Sequence, residues 1–281
     1  MAITAADVNK LRTITGVGMM DCKKALTETN GDFDAAVKLL REKGAAVAAK
    51  RADKAANQGI VAAKTSECGC AIALVEVNCE TDFVARNEDF GKFVAHVADT
   101  ALASDADPAE TLKDELVAKI AAIGEKIEIR RSARFTKQGE GVLASYIHMG
   151  GKSGVILELG CTKAETASKP EVVELAKNLC LQVAASAPKY LTPADVAQAD
   201  IDSESEIYRK QLLDQGKPEK MIDGIIKGKL NKFFSEICLV KQAYVKDLEG
   251  KTPVEKLLAD VGKTVGDTLT VRRYKLFQLG A

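Results

Sequence analysis

The chain has 281 residues, 46% of them hydrophobic and 28% charged, which is enough for two or three packed units and carries no compositional sign of disorder. Forty Lys and Arg balance forty Asp and Glu, so the excess positive charge that drives binding to a phosphate backbone is missing, and direct nucleic-acid binding is not expected. Charged residues run through the first thirty positions and no later apolar run could span a bilayer, so the expectation is a cytoplasmic protein with no signal peptide and no membrane partner.

Residues 1–45 carry three short helical patterns: Val8, Leu11 and Ile14, then Met20, Cys22 and Leu26, then Phe33, Ala36, Val37 and Leu40. Gly16 and Gly18 punctuate the first junction, Asn30 and Gly31 the second, and Gly44 is expected to end the third helix. So small a unit buries little surface and reads as a recognition module. Residues 46–58, rich in Ala, Lys and Arg, read as a partly helical tether.

The body resembles itself at two offsets, which fixes its architecture. At an offset of 82, Gly59 to Ala62 align with Gly141 to Ala144, and Glu76, Val77 and Cys79 with Glu158, Leu159 and Cys161. Both stretches alternate apolar and polar residues around a turn, as hairpins do. The helical stripe Phe90, Phe93, Val97 and Ala101 likewise matches Val172, Leu175, Leu179 and Val183. At an offset of 142, Gly124 to Arg131 align with Gly266 to Arg273, so each half ends in a similar strand. The difference between offsets places an insertion in the second half. There Ile207 and Leu212 precede a turn at Gly216 and Pro218, and Ile222, Ile226, Leu230, Phe233 and Ile237 follow, as in an antiparallel helical hairpin. The expected fold class is α+β: two internally repeated subdomains, each a three-stranded antiparallel sheet with helices on one side. The first spans 59–140 and the second 141–187 with 245–281, while 188–244 form the inserted arm.

Catalytic chemistry finds little support. Gly151, Lys152 and Ser153 end like a phosphate-binding loop, but Tyr146 stands where that loop needs its first glycine, and the segment lies between two strand patterns, so a plain hairpin turn is expected. His148 has no nucleophile or paired carboxylate beside it in sequence and reads as a surface side chain. Most of the seven cysteines read as small buried hydrophobes. The only close pair is Cys68 and Cys70 and the only histidines are His96 and His148, so neither a metal site nor a cofactor is expected. The turn Glu80 to Val84 is different, because it sets an aromatic among polar residues. Either Phe83 or Val84 folds back as a staple on the helix containing Phe90, with Thr81 or Asp82 capping that helix, or Phe83 is free to act on something else. The second half has Thr162 to Glu165 at the matching place, so the fold does not call for an aromatic there.

Four runs occur in order along the chain: TGVGMMDCKKAL with NGD (Thr15 to Leu26, Asn30 to Asp32), EVNCETDFVARN (Glu76 to Asn87), IGEKIEIRR (Ile123 to Arg131) and SYIH (Ser145 to His148). Together with the duplicated core and helical insertion they resemble the elongation factor Ts family. That resemblance implies a ubiquitin-associated-like amino-terminal domain that docks on elongation factor Tu, with Arg12, Met19, Met20 and Lys23 at matching contact positions. It implies that the Thr81–Asp82–Phe83–Val84 turn carries guanine-nucleotide exchange by disturbing the partner's magnesium and phosphate site, with Gly124 and His148 as further contact or support positions. No cofactor and no catalysis by the chain itself are implied. The final strand pattern runs almost to Ala281, so contacts through the extra carboxy-terminal helix of longer members are not expected, and a self-association role for the short arm carries over only weakly. The alternative is a ubiquitin-associated-like adaptor that binds another protein without exchange activity, a role in which the Thr81–Val84 turn has no use.

Overall fold

The structure, a computed structural model, describes residues 3–281. Thr4 opens helix α1 (Ala5–Thr15) with a capping box, its side chain accepting from the Asp7 amide while the Asp7 carboxylate accepts in return. Helix α2 (Met19–Glu28) follows, and Asp32 caps α3 (Phe33–Arg51) by accepting from the Ala35 amide at 3.0 Å. Leu11, Cys22, Leu26, Ala36 and Leu40 form the core of this head.

The body begins with β1 (Gln58–Thr65) and β2 (Ala71–Cys79), the one-turn helix α4 (Asp82–Ala85), α5 (Glu88–Ala103), the short α6 (Pro108–Thr111), α7 (Lys113–Ile123) and β3 (Ile127–Thr136). It continues with β4 (Gly141–His148), β5 (Ser153–Gly160), the short α8 (Ala164–Ala167), α9 (Pro170–Ser186), α10 (Gln198–Asp214), α11 (Glu219–Ile237), α12 (Val254–Val265) and β6 (Thr270–Gln278). Two antiparallel three-stranded sheets result, ordered β1-β2-β3 and β4-β5-β6, in a mixed α+β architecture. Leu212, Ile222 and Ile226 pack α10 against α11.

One local expectation is corrected. Helix α3 does not end at Gly44 but runs seven residues further, to Arg51. Gly44 lies buried against α7, where a Cβ would stand 3.1 Å from that of Ala121, so the glycine serves close helix packing rather than chain reversal. The extra turns lay Val47 and Ala48 on the first sheet's helical core. Every residue of β2 and β5 is buried, the polar members of the alternation included. One face of β2 packs on α5 through Val75, Val77, Phe90, Phe93 and Val97. The other meets the second sheet, where Val61, Ile72, Leu74, Phe135, Leu143, Ile156 and Phe277 form a core between the sheets.

Burying a carboxylate in such a position requires partners. Glu76 is fully buried and accepts from Arg131 Nε at 2.7 Å and the Gly280 amide at 3.0 Å. Glu158 on β5 accepts from Arg273 Nε at 2.8 Å and the Gln138 amide at 2.6 Å. Each arginine also reaches across the sheets: Arg131 lies 4.5 Å from the Phe277 ring, and Arg273 4.3 Å from that of Phe135.

Candidate docking surface around the Thr81 to Arg86 turn

Two loops distant in sequence clasp each other at the end of the first sheet. After β2 ends, the Thr81 amide and hydroxyl donate to the two Glu125 carboxylate oxygens at 3.1 and 2.7 Å. In the other direction the Lys126 amide donates to Glu80 at 2.6 Å, and Arg51 at the end of α3 donates to both Glu80 oxygens at 2.9 and 3.0 Å. The Lys126 amide, aided by Arg51, holds the Glu80 carboxyl below its ordinary range. Gly124, in the left-handed conformation at φ 79°, ends α7 and turns the chain so that Glu125 faces Thr81.

This clasp decides what the turn presents. Thr81 Oγ accepts from the Val84 amide at 3.3 Å and starts α4, while Asn87 separately caps α5 through the Asp89 and Phe90 amides. Thr81 therefore caps its own short helix, not the one containing Phe90. Val84 turns inward onto the helical core, and Phe83 is left 83% exposed, so of the two candidate staples only Val84 folds back. Asp82 pairs with Arg86 at 3.0 Å across the outer surface.

The head lies beside this turn. Arg12, Met19, Met20 and Lys23 are all exposed, Met20 at 64%. A cleft of about 660 Å³ separates the head from the body, lined by Arg12, Gly16 and Gly18 on one side and Val84, Asn87 and Lys119 on the other. Arg12 and the Val84 end of the turn thus share one cleft. His148 does not line it. It ends β4, with Nδ1 2.9 Å from the Tyr146 hydroxyl, beside Met149, which is 74% exposed. The β4–β5 turn nevertheless reaches the same end of the first sheet, because Lys152 donates to Gln58 at 2.9 Å and Gln58 pairs with Cys79. Gly151 and Lys152 form a hairpin turn, their amides donating to the His148 carbonyl at 3.1 Å, as the failed phosphate-loop pattern leads one to expect.

Sequence reasoning missed Arg51, Glu80 and Glu125 as the groups that position the turn. The one available signal was the alignment of Glu125 with Asp267. Asp267 accepts from the Thr162 amide and hydroxyl and from the Lys163 amide, ahead of α8. The Thr162 hydroxyl leads the bonds that hold the Asp267 carboxyl well below the usual carboxylate range.

Residues 80–281 match the family model described as Elongation factor TS. Elongation factor Ts of Clostridium perfringens (strain SM101 / Type A) is 45% identical over 289 aligned residues, covering 99% of this chain and 93% of that protein. The chain belongs to the elongation factor Ts family. Elongation factor Ts of Desulfovibrio desulfuricans is 44% identical over 285 residues, covering 100% and 99%, and that of Trichlorobacter lovleyi 43% over 293 residues, covering 100% and 93%. Among the described residues no helix is long and apolar enough to cross a membrane, and no group of three or more His, Cys, Asp or Glu is gathered to hold a metal ion.

Proposed function

We propose that the chain is a cytoplasmic guanine-nucleotide exchange factor that binds elongation factor Tu and promotes release of GDP during translation elongation. It works by binding alone, with no chemistry of its own. The observation that carries this reading is Phe83, a large apolar side chain 83% exposed on a turn that Glu125 and Glu80 hold fixed. An apolar ring held out on a rigid support suits insertion into a partner. In this reading Phe83 and Asp82 enter beside the partner's magnesium and phosphate site, Thr81 and Val84 set their position, and the head docks through Arg12, Met19, Met20 and Lys23. Gly124 acts by shaping the clasp, and His148 adds a contact at the same end of the sheet.

The domain plan belongs to the same proposal. Residues 1–45 are a ubiquitin-associated-like module, 46–58 join it to the body, and 59–140 and 141–187 with 245–281 are duplicated subdomains. The 188–244 arm is dispensable for exchange and contributes weakly to self-association. Support for duplication comes from strand irregularities at matching places, between Glu76 and Val77 and between Glu158 and Leu159.

Exchange requires coupling: a factor that weakens GDP binding is itself bound more weakly when GDP is present, so returning nucleotide expels it. The test is release of a fluorescent GDP analogue from elongation factor Tu. The expected result is acceleration that saturates with the concentration of this chain. A folded chain that leaves the release rate unchanged would overturn the proposal.

A further inference from the structure

Cys68 and Cys70 stand apart from the other cysteines. They flank Gly69 at the exposed tip of the β1–β2 hairpin and are joined by a disulfide, whereas Cys22, Cys79, Cys161, Cys180 and Cys238 are free and buried. Burial pushes the Cys79 thiol up to about 11 and the Cys180 thiol to about 12, so those groups are poor sources of thiolate at neutral pH. Exposure and pairing therefore coincide at one place.

Three features of the tip suit reversible chemistry. Gly69, at φ 64°, adopts a left-handed conformation that closes the short loop between the two cysteines. The backbone around them is secured without sulfur: the Ser66 amide donates to the Ala71 carbonyl at 2.9 Å, the Ala71 amide to Ser66 Oγ at 2.9 Å, and the Lys137 amide to the Cys70 carbonyl at 2.8 Å. Opening the sulfur bridge thus leaves the hairpin paired through Thr65 and Ile72. Finally, Ser66 Oγ lies 3.4 Å from Cys68 Sγ and 3.6 Å from Cys70 Sγ. Its hydroxyl donates to the Ala71 carbonyl at 3.1 Å, a carbonyl that also accepts from the Ser66 amide, so the proton can turn to whichever sulfur leaves as thiolate, and a stabilised leaving thiolate departs faster.

We propose that Cys68 and Cys70 form a thiol–disulfide exchange site for low-molecular-weight thiols, with Ser66 as its positioning residue. The thiolate of a small monothiol attacks one sulfur of the bridge. A mixed disulfide forms as the Cys68–Cys70 bond breaks, and the other cysteine leaves as thiolate and takes a proton from water. A second monothiol attacks the mixed disulfide, so that two thiols become one small disulfide and the protein gains two thiols. The corresponding small disulfide drives the reverse sequence. The site is independent of exchange-factor activity.

The test uses the folded full chain with glutathione as probe, followed by maleimide labelling and peptide mapping. Oxidised glutathione is expected to remove two labels, at Cys68 and Cys70, and reduced glutathione to restore them, while the five buried cysteines stay unlabelled throughout. The Cys68→Ser/Cys70→Ser double variant should show no redox-dependent label. Ser66→Ala should slow opening by roughly two- to tenfold, the rate equivalent of one exposed hydrogen bond, and Ser66→Thr should restore it. Labelling at Cys68 and Cys70 that is the same in both glutathione states, or change confined to the buried cysteines, would overturn the site. An unaltered rate in Ser66→Ala would overturn the role of the hydroxyl.

Discussion

Replacing Phe83 by Ala separates a docking role from a structural one, because the free chain leaves this ring 83% exposed. Truncation removes almost no packing from the fold, so its stability should stay within about 0.5 kcal/mol of the parent, as for other surface changes. If the ring is buried in the complex with elongation factor Tu, its removal forfeits roughly 1.5 to 3 kcal/mol of apolar burial. Expressed in the exchange step, that slows the saturating rate of GDP release about ten- to a hundredfold. The contacts proposed for the head through Met19 and Met20 remain, so the factor concentration at half-saturation should change far less. Stopped-flow release of a fluorescent GDP analogue across a range of factor concentrations gives both quantities from one series. A saturating rate equal to the parent's, in a variant whose circular dichroism and melting are unchanged, would refute the reasoning.

Met20→Ala should do the reverse, raising the half-saturation concentration about fivefold or more through lost apolar contact while sparing the saturating rate; the same stopped-flow series reads it. Glu76→Ala should cost about 3 kcal/mol, seen as a lowered urea midpoint, because it strands Arg131 between the sheets without its carboxylate. The figure sits at the low end for a buried pair because the Arg131 side chain keeps 34% exposure. Asp267→Asn should flatten the acid limb of the stability profile. The Asp267 pKa is lowered in the folded state from an ordinary 3.8, chiefly by the Thr162 hydroxyl. Its contribution is therefore complete above that ordinary value and declines as pH falls through the folded one. Chemical denaturation from neutral pH down to about pH 2 should show the parent losing more stability below about pH 4 than the variant.

Much of the fold was legible because it is written in local periodicity. The stripes of α5 and α9 bury the residues their spacing selects, Phe90, Phe93 and Val97 in one case and Val172, Leu175 and Leu179 in the other. Both stretches read as hairpins pair as antiparallel strands, β1 with β2 and β4 with β5. Face-to-face packing of the sheets was not legible, since nothing in the alternation tells that Glu76 and Glu158 are buried, and the arginines and loop amides that satisfy them lie far away in sequence. Gly44 misled because glycine serves both chain reversal and close packing, and only Ala121, 77 positions away, distinguishes them. At the candidate docking surface, residue types alone left Phe83 and Val84 interchangeable. What separates them is Glu125, whose hold on Thr81 spans 44 positions.

The second half supplies a comparison inside the molecule. Asp267 follows a left-handed glycine, Gly266, as Glu125 follows Gly124, and each carboxylate gathers the amides and hydroxyl of the loop that leaves the central strand. Cys79 at the end of β2 and Cys161 just after β5 donate to the Thr81 and Lys163 carbonyls at 3.1 and 3.2 Å. Both clasps lead into a helix of four residues, with Phe83 in one and Glu165 at its place in the other. The clasp and one-turn helix therefore form with or without an aromatic, so Phe83 is not what holds the turn together. The ring instead stands on a support ordered before any partner arrives, and such a support loses little conformational entropy on docking. In the proposed complex, apolar contact made by Phe83 is then available to favour one conformation of the partner over another, which is the only means by which a binding protein shifts an equilibrium.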